Sequence, residues 1–323
     1  MAAQRGVAVS YAKILLVVRS EDPEQPAVKR ALELASEHTQ VEVFTPVYNS
    51  HLQAYPLSDP GDYERLRDRL VQRSLEQAGA LARSIERRGI RVTASAVWDY
   101  PYYEAIIRRA MAGDADLVIS ASLTERPQAL RYADWRLLIA APMSVLLVKS
   151  AAAQAYGAVV AAVDPLHRHD KPASLDEQIL TQAKRVQALT AAKLRAVFCF
   201  VPLVHAAPVG SEALPIDIVE EQLVQESRKA LEAVLARVGL HGDVGEVLSG
   251  RPEEVLPELP ADLLIVGALS RGRWKDLILG STAERILEDM KSDLLVVKPV
   301  GFQSQVSHHV SAEPVVNPVF YPF

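Results

Sequence analysis

Short, continuous apolar runs alternate along the chain with longer segments whose apolar positions recur every three or four residues. The runs predict strands near 13–18, 41–47, 91–97, 116–120 and 144–149 in the first half. Those at 13–18, 116–120 and 144–149 are largely continuous Val, Ile and Leu rather than alternating with polar residues, as expected of strands buried on both faces of a parallel sheet. The longer segments read as amphipathic helices. One carries Leu66, Leu70, Leu75, Leu81 and Ile85; another carries Val219, Leu223, Leu231, Val234, Leu235 and Val238. Strand and helix in strict alternation imply right-handed crossovers and a doubly wound α/β sheet.

The pattern occurs twice. KILLVVR at 13–19 pairs with AVVAAVD at 158–164, DLVIS at 116–120 with DLLIVG at 262–267, and SVLLVK at 144–149 with DLLVVK at 293–298. The 323 residues suffice for two domains with separate cores. The expected division is 1–150, 151–300 and a tail, 301–323, with an Ala-rich connector near 151–157.

Candidate chemistry concentrates in VGALSRGRWKDLILGST, residues 266–282. An apolar strand runs into a loop containing Gly280, and a helical pattern opens at Ser281-Thr282. The first-turn amides of a helix have no partner within it and carry the positive end of its dipole, which suits a phosphate. Gly280 permits close approach, and the two hydroxyls add donors. The spacing matches neither a Walker A loop nor the GxGxxG dinucleotide fingerprint. In doubly wound sheets ligands lie beyond the carboxyl ends of the strands, where Asp164 and Gly267 both fall.

The spacing from Gly267 through Ser270 to Gly280-Ser281 resembles the G-x2-G-x9-G-[S/T] signature of the universal stress protein family. Ser270 stands where the second glycine is usual. The segments at 98–107 (WDYPYYEAII), 134–135 and 251–256 resemble the tandem, two-domain E type. The resemblance implies two doubly wound α/β domains, of the adenine nucleotide α-hydrolase-like kind, paired through their last strands, 144–149 against 293–298. It also implies ATP or a related adenine nucleotide, with Mg²⁺ as its accompanying ion. Asp164 would contact the adenine end. Val266, Gly267, Ser270, Gly280, Ser281 and Thr282 would line ribose and phosphates, and Arg271, with Arg273 and Lys275, would add positive charge. The other reading of this loop is a solvated basic segment over an empty pocket.

The first half departs from that pattern. Arg19 stands where the second half has Asp164, and Ala133-Asp134-Trp135 where it has Gly280-Ser281-Thr282. Asp134 reads as an N-cap that puts a fixed negative charge where a phosphate would sit. The first half is therefore expected to be a structural partner with a degenerate site.

Composition narrows the field. Net charge is −5; residues 1–150 hold 19 Lys and Arg against 18 Asp and Glu, the remainder 16 against 22. Neither half has the basic excess on which nonspecific nucleic-acid binding depends. No apolar run approaches a membrane span, and no export segment is read at the N-terminus. The single Cys199 suits a reducing cytoplasm and, within VFCFV, a buried strand rather than a nucleophile. His167, His169 and Asp170 do not complete a zinc ligand set, nor do His308 and His309. His205 has no Ser or Cys partner around it, and no carboxylate pair recommends catalysis. The tail carries Phe302, Phe320 and Phe323 among prolines; it reads either as a segment that docks in an apolar groove or as a disordered terminus.

These readings predict a cytoplasmic, non-enzymatic stress-response protein. It binds an adenine nucleotide in its second domain and acts as a regulatory adaptor for a protein partner. Domain pairing is intramolecular, and a homodimer is compatible with it. The alternative is a nucleotide-independent module holding an apolar or lipid-like ligand; a slow ATPase comes third.

Overall fold

A computed structural model describes residues 10–18, 22–50, 52, 60–121, 132–149, 154–166, 173–202, 216–268 and 290–308. Its strands are β1 (Lys13–Val17), β2 (Gln40–Val47), β3 (Arg91–Trp98), β4 (Leu117–Ala121) and β5 (Ser144–Val148) in the first half. The second half contributes β6 (Ala158–Ala162), β7 (Lys193–Phe200), β8 (Gly245–Ser249), β9 (Leu263–Gly267) and β10 (Asp293–Val297). The helices are α1 (Pro26–Leu34), α2 (Pro60–Glu86), α3 (Tyr102–Ala112), α4 (Tyr132–Ala140), α5 (Ala173–Thr190), α6 (Ile216–Arg237) and the single turn α7 (Pro252–Val255).

All ten strands form one sheet in the order β3-β2-β1-β4-β5-β10-β9-β6-β7-β8. Pairing is parallel within each half and antiparallel only where β5 meets β10. Along a strand successive side chains point to opposite faces. Ile14 and Leu16 accordingly enter one core layer with Leu81 and Ile85 of α2, and Leu15 and Val17 enter the other with Ile106 and Ile107 of α3. A run such as Ile14–Val17 must be apolar throughout because both of its faces are buried.

Each half carries the same register lock. Asp116, just before β4, accepts the amides of Ala12 and Lys13 at the start of β1, at 2.9 and 3.0 Å. Asp262, just before β9, accepts those of Gly157 and Ala158 at the start of β6, at 2.8 and 2.9 Å. A carboxylate that receives two amides fixes where one strand begins against its neighbour.

The seam follows the expected pairing: Leu147 faces Leu294, Leu146 faces Leu295 and Val145 faces Val296. Each half also grips the other with the lysine after its last strand. Lys149 Nζ donates to the Met290 carbonyl at 2.6 Å. Lys298 Nζ donates to the carbonyls of Leu138 and Ile139 (2.9 Å to the latter), near the C-terminus of α4. Cations are favoured at that negative end of a helix.

Some sequence expectations need correction. Leu66 of α2 is 38% exposed and Val219 of α6 39%, so the apolar stripes are narrower than periodicity implies; Leu81, Ile85, Leu231, Val234 and Leu235 form the buried part. Asp134 lies in the first turn of α4, which already includes Tyr132 and Ala133, rather than capping it from outside. The connector is more than an alanine spacer: Tyr156 is 2% exposed and packs under Arg30.

Candidate functional site

In the second half, β6 lies between β9 and β7. The chain leaves β6 through α5 toward β7 and returns through α7 to β9, so β6 and β9 flank the point where the connections diverge. Such a switch point opens a crevice beyond the carboxyl ends of the strands.

Asp164 lies two residues past β6, partly buried. Its amide donates to Asp176 Oδ1 at 3.0 Å, and Asp176, in the first turn of α5, is fully buried. Gly267 ends β9 one strand away. A Cβ on Gly267 would lie 2.7 Å from Cδ2 and 2.9 Å from Cγ of Leu175, and 3.1 Å from Cδ1 of Ile179. A side chain at 267 would therefore force Leu175 of α5 to shift, and the same helix turn touches both strand ends. Val266 is partly buried against the core layer on the opposite face of the sheet. Asp164, Val266 and Gly267 are thus brought to adjacent strand ends. Ser270, Arg271, Arg273, Lys275, Asp276, Gly280, Ser281 and Thr282 lie outside the described residues, as do Arg19, His167, His169, Asp170, His205 and His309.

In the first half, Ser120 near the end of β4 is buried, and Asp134 is 1% exposed in the first turn of α4. The segment at 98–107 has an architectural role. Arg108 forks onto Asp99 with bonds of 2.8 and 2.7 Å, fixing the turn from β3 into α3. Tyr48 stacks on Tyr100 at 4.3 Å and tilts against Trp98 at 5.7 Å. Cys199 on β7 is partly buried, and desolvation, with Glu246 and Glu253 adding to it, pushes its thiol up to about 12. Such a thiol is protonated at neutral pH and a poor nucleophile. Among the described residues no three His, Cys, Asp or Glu side chains gather as a metal site, and no helix is long and apolar enough to cross a membrane.

The sequence model of the Universal stress protein family matches this chain twice, over residues 10–149 and 124–298. The chain belongs to the universal stress protein family. Among similar proteins, Universal stress protein E of Escherichia coli (strain K12) is 25% identical over 311 residues, covering 92% of this chain and 96% of that protein. The namesake from Photorhabdus laumondii is 24% identical over 316 residues, covering 92% and 98%. A putative universal stress protein from Pseudomonas aeruginosa UCBPP-PA14 shares the fold with a TM-score of 0.66 at 22% identity, over 90% of this chain and 94% of that one. A universal stress protein from Archaeoglobus fulgidus does so at 0.58 and 17%, over 89% and 98%. The tandem, E-type resemblance read from the sequence therefore holds along nearly the whole universal stress protein chain.

Asp176 was missed by sequence reasoning. Its only local signal is an acid in the first turn of a helix, a common solubilising feature. Burial and the bond to Asp164 come from the fold.

Proposed function

We propose that this stress protein binds one adenine nucleotide per chain, in the crevice of its second half, and that occupancy regulates contacts with a protein partner in the cytoplasm. The observation that carries this reading is the meeting of Asp164 and Gly267 at neighbouring strand ends under one turn of α5. A partly buried carboxylate is a strong acceptor for the amine or hydroxyl donors at the base and ribose end of a nucleotide. Ser270, Gly280, Ser281 and Thr282 supply amide and hydroxyl donors for phosphates in the sequence that follows β9, with Arg271 as a counter-charge. The donor set fits a nucleotide. Any Mg²⁺ would be held chiefly by the phosphates and water, since Asp276 is the one carboxylate in that loop.

The first half is proposed to be a structural partner: Asp134 places a carboxylate in the first turn of α4, where a phosphate would need donors. The protein is also proposed to lack fast turnover. Phosphoryl transfer to water needs an oriented nucleophile besides charge neutralisation, and the loop's sequence offers no carboxylate beyond the lone Asp276. Phosphate release below the ~1–100 s⁻¹ typical of kinases is expected.

Calorimetric titration with ATP tests the reading. One site per chain is expected, lost on Gly280→Leu and weakened by Asp164→Ala. Two equivalent sites, or binding indifferent to both substitutions, would refute it. A lipid-like molecule released from the purified protein in place of a nucleotide would favour the apolar-ligand alternative.

A further inference from the structure

We infer that Asp176 is the positioning residue of the second-half site, holding Asp164 at the angle from which its carboxylate meets the base end of the ligand. This rests on the nucleotide reading above for the identity of the ligand, though not for the positioning itself.

The chain leaves β6 in two steps. The amide of Val163 still donates to Val197 of β7, at 3.0 Å. The next amide, that of Asp164, donates to the Asp176 carboxylate instead of to a strand. Asp176 is 0% exposed. A buried carboxylate is costly unless it is hydrogen-bonded, and a charge-assisted bond is about twice as strong as a neutral one. Placement in the first turn of an 18-residue helix also puts the charge at the positive end of the dipole. The Asp164 backbone is thereby fixed, and only two side-chain torsions separate it from its carboxylate.

The position of Asp176 is fixed in turn by its neighbour. Leu175 packs where a side chain on Gly267 would be, so the first turn of α5 is seated on β9 while it holds the end of β6. One helical turn therefore sets the separation between the two ends of the crevice. The first half offers an internal comparison. The first turn of α1 carries no acid, its buried positions there being Ala27 and Val28, and the sequence has Arg19 in place of Asp164. The two acids occur together in one half and are absent together from the other.

The test uses the full chain with Asp176→Ala and Asp176→Asn. Two readouts apply: hydrogen exchange of the Asp164 amide without ligand, and affinity for ATP and GTP by titration. Asp176→Ala should expose the Asp164 amide, weaken ATP on the order of tenfold, and shrink the preference for ATP over GTP, since loss of a charged hydrogen bond commonly costs at least that factor. Asp176→Asn keeps an acceptor and should restore both readouts to within a few-fold. A folded Asp176→Ala chain with unchanged amide protection and unchanged base preference overturns the inference, and so does failure of Asn to rescue. If Asp176→Ala does not fold, the wild type decides: an Asp164 amide that exchanges freely overturns the inference, and a protected one retained in Asp176→Asn supports it. A wild-type chain that binds no adenine nucleotide refutes the nucleotide reading, while the exchange readout still tests Asp176.

Discussion

Arg30 Nε donates to Asp293 Oδ2 at 2.7 Å across 263 positions of sequence, forming an ion pair that joins the two halves. The partners are 3% and 0% exposed. The Tyr156 hydroxyl donates to the same oxygen at 2.8 Å, its ring lying 3.6 Å below the guanidinium, and the Lys149 amide donates to Oδ1 at 2.9 Å. Arg30 is further held by Glu33 and the Gln154 carbonyl.

Removing one partner of this pair should be far worse than removing both. Arg30→Ala leaves a fully buried carboxylate, and losses of about 3–5 kcal/mol are typical of that situation. An apolar replacement of both, Arg30→Met with Asp293→Leu, should cost less because the fully buried carboxylate is removed with its partner, leaving only the partly exposed Glu33 without the guanidinium. Urea unfolding of wild type, Arg30→Ala and the double variant checks this; a double variant as damaged as Arg30→Ala would contradict it.

Lys298 should impart a distinctive pH dependence. Burial pulls its ammonium down to about 7, while in the unfolded chain the ordinary value is ~10.4. Between these values the unfolded chain holds the extra proton, so stability rises with pH across that window and is flat on either side. Put the other way, stability is lost as pH falls toward 7. The size should be a few kcal/mol at most, since the helix carbonyls of Leu138 and Ile139 favour the ammonium and offset part of the burial cost. Lys298→Met should remove this rise. Denaturant unfolding from pH 6 to 10, read as wild type minus variant, isolates it from other titrating groups; a flat difference would count against it.

Gly267→Ala tests the seating of α5 on β9. The added methyl meets Leu175 at 2.7 Å, closer than van der Waals contact allows, so a loss of about 1–3 kcal/mol is expected. In a Leu175→Ala background, which carries its own cost of truncating a buried leucine, Gly267→Ala should cost less, because the clash is with that side chain. Thermal unfolding of the two singles and the double checks this; an undiminished cost of Gly267→Ala in the Leu175→Ala background would place the strain elsewhere.

Cys199 should be inert. With its thiol pushed up to about 12, the thiolate fraction at pH 7.5 is negligible. A chromogenic thiol reagent should react only at the rate at which the protein opens, and promptly after addition of denaturant. Fast labelling of the native chain would show the thiol to be accessible and ionised.

The sequence by itself determined the strands, the two-face burial of the inner ones and the duplication, while the pairing of the last strands followed from the family resemblance. The former are local or repetitive: a continuous apolar run carries its own burial pattern, and the same run appearing twice carries the symmetry. Asp164 and Gly267 were legible as strand-end residues for the same reason. Only the tertiary structure decided what the polar residues do. Asp293 reads as the acid ahead of a strand, like Asp262, yet one receives an arginine from the other half and the other receives two amides beside it. Asp176 reads as an ordinary first-turn acid, and Lys298 as a charge after the last strand. A charged side chain states nothing locally about its partner, because hydrogen bonds and ion pairs are made by whichever groups the packed sheet brings within about 3 Å, and here those groups lie as far away in sequence as Leu138 from Lys298.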